Sequence, residues 1–358
     1  MKHFNIPIFI SHLGCPYQCI YCDQKKIATS QVPEPNQVQK IIEDHLQTIP
    51  VNSEVEVAFF GGNFTDIDAD LQEAYLKAVE PYILAKKISG IRLSTRPDSI
   101  DEEGLERLKN NHVNTIELGV QSLCDEVLKA SSRGYTADVV FKSSQLVKEW
   151  GFQLGVQLMI GLPGDHFELD IATVQSTIEI NPAMVRIYPT LVIAGTALET
   201  LYQKGAYQPL SLENAVMTCR EMFLRLEKNN IPVIRMGLHP GEDLRSEGVI
   251  VTGPFHPAFG ELVEQSIFLE QASMVLQQLR ERKAFQNQVV LFVNPRDVSK
   301  MAGLKRNNIK QLQSQWNLSQ VTIQPDSGIK RNEIGVSQAG EPVTIKLKRE
   351  AFIKARNF

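Results

Sequence analysis

The sequence predicts an α/β protein: a parallel sheet with helices outside it, either doubly wound or a barrel, followed by a small α+β module. Three observations carry this. Buried apolar runs alternate with helical periodicity at βαβ spacing over about the first 240 residues. Glycine or polar residues follow many of those runs, where ligands bind in such folds. Beyond that point the pattern changes to short strands and short helices. The 358 residues, 43% hydrophobic and 22% charged with mean hydropathy −0.15, can bury a large core and exclude a disordered chain. No apolar run reaches the roughly 18 residues of a membrane span. The run Ile6 to Ile10 is too short for a signal-peptide core, so a cytoplasmic location and no membrane partner are expected.

The expected strands, in order, are residues 5–11, Val55 to Phe60, Ile91 to Thr95, Asn114 to Leu118, Leu154 to Ile160, Met184 to Tyr188 and Pro232 to Met236. Glycine or proline bounds the first three, at Gly14 and Pro16, at Gly61 and Gly62, and at Pro97. Apolar residues at helical spacing predict helices over Val38 to Thr48, Leu71 to Leu84, Ala137 to Trp150 and Leu212 to Lys228. Acidic residues from Asp101 open another, as the helix dipole favours. The Gly- and Pro-rich stretch Val249 to Phe259 reads as a connecting loop. It is followed by a helix over Ser266 to Lys283, a strand over Val289 to Val293, short helices over Val298 to Met301 and Asn308 to Trp316, and strands over Val321 to Gln324 and Val343 to Leu347. The expected domains are a core over 1–245, a linker and connecting helix over 246–284, and a module over 285–358.

The net charge of −4 conceals an asymmetry. Residues 280–358 carry 15 Lys+Arg against 6 Asp+Glu, a net +9, whereas the rest carries a net −13. A basic segment on an acidic body fits a polyanionic partner, or a merely soluble cationic surface. Of the five cysteines, Cys15, Cys19 and Cys22 lie within eight residues, whereas Cys124 and Cys219 stand apart. An odd number so clustered is a metal site in a reducing compartment rather than a disulfide framework.

Three thiolates on one loop after a strand can hold three irons of a 4Fe–4S cube, leaving the fourth iron open to a small ligand. A structural zinc site, with His12 as fourth ligand, is the other reading. At the end of the second strand, Gly61, Gly62 and Asn63 expose backbone polar groups to a ligand, or form a tight turn. Alternation turns Glu117 and Leu118 to opposite faces. An inward carboxylate is costly unless it binds something, so Glu117 and Gln121 are candidate ligand contacts. Arg133, on a turn, could pair with a carboxylate. Gln157 sits on the fifth strand, which ends in a glycine turn at Gly161 to Gly164.

The spacing C-x3-C-x2-C resembles the signature of the radical S-adenosylmethionine (SAM) superfamily. The segments CPYQCIYC, FFGGNFT, STRPDSI, IELGVQS, SRGYT, MIGLPG and IYPTLVIAGTAL, in that order over residues 1 to about 240, resemble the radical SAM domain of the Elongator catalytic-subunit family. The resemblance implies a partial (β/α)6 TIM-type barrel. It implies a 4Fe–4S cluster on Cys15, Cys19 and Cys22, with the open iron chelating the amino and carboxylate groups of SAM. Tyr21 would pack near the adenine, Gly61, Gly62 and Asn63 would hold the methionine amino end, and Glu117, Gln121, Arg133 and Gln157 would line the cofactor site. The Elongator subunit has a longer gap between its first two cluster cysteines and ends in an acetyltransferase domain, for which this sequence offers no acetyl-CoA-binding loop. Methylthiotransferases need three further clustered cysteines.

Residues Val289 to Ser327 are similar to a KH RNA-binding domain, whose helix–GXXG–helix loop clamps a nucleic-acid backbone. In the loop Gly303 to Arg306, Lys305 and Arg306 stand where phosphates would pass, Asn308 opens the next helix, and Arg306 replaces the second glycine. A structural cap on the barrel is the other reading. The function expected is reductive cleavage of SAM and hydrogen abstraction from a substrate, with tRNA or rRNA modification in view and a flavodoxin or ferredoxin as reductant. The alternatives are a tetrapyrrole enzyme resembling the anaerobic coproporphyrinogen oxidases and a non-enzymatic RNA-binding protein with a structural cluster. No catalytic residue beyond the cofactor contacts is singled out.

Overall fold

The computed structural model describes residues 2–16, 18–28, 31–238, 244, 246–282, 287–356 and 358. Tyr17 and the expected domain boundaries at 245 and 284 lie outside the described residues. The chain forms two compact units. The first is Met1–Leu212 with Ile231–Pro257, and the second is Glu213–Asn230 with Ala258–Phe358. This division differs from the one read from sequence. The amphipathic helix Leu212–Lys228 belongs almost wholly to the second unit, and residues 246–257 belong to the first.

The first unit is built on β1 (His3–Phe9), β2 (Glu54–Phe60), β3 (Gly90–Thr95), β4 (Val113–Gln121), β5 (Gln153–Ile160) and β6 (Met184–Pro189), then the short β7 (Val192–Ile193), β8 (Val233–Met236) and β9 (Ile250–Thr252). Seven of these form one parallel sheet in the order β1-β2-β3-β4-β5-β6-β8, with β1 and β8 at its edges. The fold is thus a curled, open sheet of the barrel type. Its seven strands correspond to the seven expected runs, the last of which, ending at Met236, pairs with β6. β7 and β9 pair antiparallel, so the stretch read as a loop contains a strand, hidden by Gly253, Pro254 and Pro257 around three residues.

Side chains alternate along these strands. Ile6, Ile8, Val57, Phe59, Ile91, Leu93, Ile116, Leu118, Val156, Leu158, Val185 and Ile187 are all fully or nearly fully buried. The intervening residues face inward and are polar at one position after another. Local signals place the covering helices. Pro35 begins the helix Pro35–Leu46 behind a capping box between Glu34 and Gln37. Asp101 accepts from the Gly104 N–H at 2.7 Å to cap Glu102–Asn110.

The second unit holds a four-stranded sheet in the order β11-β10-β12-β13. Its strands are β10 (Gln288–Val293), β11 (Gln320–Pro325), β12 (Glu333–Gln338) and β13 (Ile345–Lys348). β10 and β11 are parallel, and the other two pairs are antiparallel. The expected helix–loop–helix lies between β10 and β11, as Val298–Ala302 and Asn307–Trp316. The long helix starts at Phe259, about two turns before the expected Ser266. β12, unexpected from sequence, is buried at every position although Gly335 and polar residues interrupt its alternation.

Candidate functional site

A cavity of about 1040 Å3 occupies the inner face of the seven-stranded sheet. Cys15, Cys19, Cys22, Gly61, Gly62, Gln121, Arg133 and Gln157 all line it. It therefore collects eight of the ten residues expected at the metal and cofactor sites, from five separate segments of chain. Its volume is at the upper end of the range of ligand pockets.

The cysteine loop follows β1 and is held by backbone bonds. Leu13 N–H donates to Ile10 O, Cys22 N–H to Cys19 O, Ile20 N–H to Ser131 O, and Leu198 N–H to Ile20 O. Cys19 and Tyr21 pack with Val127, Leu162, Val192, Leu198 and Tyr207. Arg133 donates from Nη1 to the Cys19 sulfur at 3.0 Å and to the Tyr21 hydroxyl at 3.3 Å. Arg96 reaches the same sulfur at 3.9 Å and is itself gripped by Asp98 through two bonds. Both guanidiniums lie about 5 Å from the centre of the Tyr135 ring. Two cations beside this sulfur would offset the negative charge of a Cys19 thiolate. Burial first, and then the neighbouring Cys19, pushes the Cys22 thiol up to about 12 and raises Cys15 as well. Cationic irons would reverse that shift by coordinating the sulfurs.

The donor set fits an iron–sulfur cube better than zinc. His12 Nε2, the candidate fourth zinc ligand, instead accepts the Gln24 N–H at 2.8 Å.

Gln121 owes its place to a register break. Leu118 pairs with Val156 but Gln121 with Leu158, and Gln121 carries φ +69°. A bulge of this kind redirects a side chain, here into the cavity. Gly62 lies so close to the cysteine loop that a Cβ there would sit 2.6 Å from Ile10 O and 2.7 Å from Leu13 O. Gly14 has φ +70°, and a Cβ there would meet Asn63 O at 2.2 Å.

Asn63 and Glu117 do not line the cavity. Asn63 is fully buried and saturated. Its Nδ2 donates to Gly14 O, Asp66 Oδ2 and Ser99 Oγ, and its Oδ1 accepts from Arg96 N–H and Thr95 Oγ1. It latches the cysteine loop to the ends of β2 and β3. Glu117 receives Arg186 at 2.7 and 3.0 Å, Arg92 at 2.9 Å and Gln157 at 3.0 Å. Burial raises its carboxyl, but Arg186 and Arg92 outweigh this and hold it below the usual carboxylate range. Arg92 also binds Glu56, which His3 meets at 2.9 Å. Sequence reasoning missed Arg92, Arg96, Arg186 and Glu56. The available signal was one charged residue in the middle of an apolar run on successive strands.

In the second unit Lys305 and Arg306 are exposed, in left-handed conformations at φ +50° and +62°. Asn308 is buried, and its Nδ2 donates to Gln265 O at 2.8 Å and Lys300 O at 3.2 Å, so it braces the loop and presents nothing to solvent. The basic charge is also partly internal. Arg349 meets Glu227 and Glu264, Arg356 meets Glu221 and Glu270, and Arg331 meets Asp297. The whole second unit carries 18 Lys+Arg against 12 Asp+Glu, a net +6.

Known proteins define the class. The radical SAM superfamily matches residues 9–173, and the Radical SAM C-terminal domain matches residues 182–268. The chain belongs to the radical SAM superfamily and is an enzyme of that class. The superfamily's cofactors, a 4Fe–4S cluster and SAM, are those of this chain. Within it the chain is homologous to the tRNA uridine(34) acetyltransferases and Elongator proteins. It is 32% identical over 187 residues to the tRNA uridine(34) acetyltransferase of Methanocaldococcus jannaschii, covering 47% of this chain and 34% of that protein. It is 30% identical over 258 residues to an uncharacterized protein of the same organism, covering 64% of this chain and 77% of that one. The structure of the archaeal Methanocaldococcus infernus Elp3 shares the fold, with TM-score 0.59 and 24% identity over 74% of this chain and 62% of that one. The chain thus spans about a third of the curated acetyltransferase it matches. Among the described residues no helix is long and apolar enough to cross a membrane.

Proposed function

We propose that this enzyme modifies RNA, with tRNA or rRNA as substrate, by radical SAM chemistry in the cytoplasm. The observation that carries the proposal is one cavity lined jointly by Cys15, Cys19, Cys22, Gly61, Gly62, Gln121, Arg133 and Gln157. A relative that acts on tRNA uridine supplies the substrate class. When bound and reduced by a flavodoxin or ferredoxin, the cluster supplies one electron for homolysis of SAM to methionine and a 5′-deoxyadenosyl radical. The chain's own residues bind and orient. Cys15, Cys19 and Cys22 would ligate three irons. Gly61 leaves room for the methionine end of SAM, and Gly62 lets the cysteine loop pass close behind it. Arg133 and Gln121 offer guanidinium and amide groups to its polar parts, and Gln157 presents an amide from β5. Asn63 and Glu117 act one layer out, Asn63 on the loop and Glu117 on its arginines. Lys305 and Arg306 contact RNA phosphate, and Asn308 shapes the loop that carries them.

Anaerobically reconstituted protein is expected to carry about four irons per chain. With dithionite it should release 5′-deoxyadenosine, and Cys19→Ala should do neither. RNA affinity should fall steeply with salt and drop severalfold in the Lys305→Glu, Arg306→Glu double variant. One zinc and no iron would overturn the cofactor reading. Salt-insensitive or unchanged RNA binding in the double variant would overturn the RNA reading.

A further inference from the structure

The cavity extends well past the cysteine loop. At its far end it is lined by Asn5, Arg92, Gln153 and Arg186, from the amino-terminal halves of their strands, and by Arg235 of β8. Most charges along this lumen are paired in alternating sign, as Glu56 with Arg92, Arg92 with Glu117, and Glu117 with Arg186. Arg235 breaks the pattern. It stands directly opposite Arg186 in the β6–β8 register. Unlike Arg186, it has no hydrogen bond or ion pair among the described residues. Like charges facing each other across a strand pair are destabilising unless something neutral or negative intervenes. On the opposite edge strand, β1, Asn5 lines the same cavity, and its Oδ1 is buried without a hydrogen-bond partner. A buried acceptor left unpaired is uncommon and costly. The apolar companions are Phe60, over which Arg186 stacks at 5.2 Å, and Met184.

We propose that this end of the lumen is a second binding subsite, for a small molecule bearing a carboxylate or phosphate, with Arg235 as its anchor, Arg186 as its neighbour and Asn5 accepting a hydrogen bond from the ligand. The oxyanion takes the guanidinium donors of Arg235 and screens it from Arg186. An N–H or O–H of the same molecule satisfies Asn5. The site does not depend on the identity of the RNA or on turnover, because its groups are in place without cluster or SAM.

The test is thermal unfolding of the full-length protein without cluster, at constant ionic strength. Sodium phosphate and sodium succinate are titrated separately as probes of the two oxyanion sources. A ligand that binds only the folded state raises the midpoint in a saturable way. One probe is expected to do so in the wild type, and the stronger one identifies the source. Arg235→Gln should weaken that binding about tenfold or more, because a charge-assisted bond is lost. Without anion it should unfold at the same or a higher temperature, because the facing charges are relieved. Arg235→Lys should retain part of the affinity and Asn5→Ala should lose it severalfold. Lys142→Gln, which removes one exposed charge on an outer helix, should change nothing. Absence of a saturable shift in the wild type, or an equal shift in Arg235→Gln, overturns the proposal. Neither result bears on SAM cleavage or RNA binding, which are read by separate assays.

Discussion

Replacing Asn63 by Ala separates two roles that the sequence cannot tell apart: a contact to SAM and a latch behind the cysteine loop. The amide has two hydrogens for three acceptors, Gly14 O at 3.0 Å, Asp66 Oδ2 at 3.2 Å and Ser99 Oγ at 2.8 Å, and two donors point at its oxygen. At most about four of these bonds are made at once. At about 1 kcal/mol net each, with the Arg96 N–H left buried and unpaired, Asn63→Ala is expected to cost about 3–5 kcal/mol. Urea unfolding of the metal-free protein reads this as a lower midpoint at unchanged slope. Asn63→Asp is the sharper variant. A carboxylate at this position would attract the ammonium of SAM if Asn63 were a ligand contact. In the latch it faces Gly14 O and the Asp66 carboxylate with no hydrogens to donate. It should therefore destabilise at least as much as Ala and should lose cluster loading in parallel. An Asn63→Ala protein of wild-type stability that has lost only SAM affinity would refute the latch.

Three further outcomes are expected. Glu117→Gln leaves the Arg186 guanidinium buried without its anion and Arg92 with Glu56 alone, and should cost about 3–5 kcal/mol. Because the Glu117 pKa is depressed in the folded state, its contribution is present above about pH 4.3 and lost as pH falls through the folded value, so acid titration of stability should be shallower in the variant. Asp170 behaves oppositely. Burial and then the facing Asp165 carboxylate raise its pKa far above the usual carboxylate range, so the folded protein holds a proton that the unfolded chain releases above about pH 3.9. Stability from this site is full below that pH and declines as pH rises, and Asp170→Asn should restore about 1–3 kcal/mol near pH 8, measured by denaturant unfolding at several pH values. Gly62→Val should lower both stability and iron content, since the added carbons strike the carbonyls of Ile10 and Leu13 before they reach any ligand. A stable, fully loaded Gly62→Val protein with weak SAM binding would show that the carbonyls yield.

Elements with a strong period were legible from sequence. The helix Leu212–Lys228 and the strands β2, β3, β5 and β6 fall within a residue or two of their expected limits. The cysteine loop was legible because three thiols within eight residues have few other uses. What escaped depends on contacts distant in sequence. β9 is three residues that become a strand only through β7. β12 is buried on both faces and breaks alternation with Gly335, where a Cβ would meet Val343 at 3.0 Å. The net +9 of residues 280–358 overstated the basic surface. Arg349 and Arg356 find their acids on helices outside that segment, and no sequence count assigns such pairs. Asn308 lies in the first turn of the second helix, one residue after its start, and its amide turns inward to Gln265 O.

The charged inner face carries a larger argument. A parallel barrel that exists only to be stable fills its interior with layers of branched apolar side chains. Here β2, β3, β4 and β6 contribute Glu56, Arg92, Glu117 and Arg186 instead, each buried or nearly so. Such pairs seldom improve stability over apolar packing of similar volume. They do make an interior that is polar yet internally neutral, so it can stay open beside a large cavity without collapsing around it. The alternation also fixes each guanidinium by two or more bonds, which keeps the lining rigid when a ligand enters. At the cysteine end the same device recurs, with Arg133 held by Tyr135 and Gly119 O while it faces Cys19. Among the described residues of the strand interiors, Arg235 stands without such a counterpart, and it is there that the proposed ligand would complete the set.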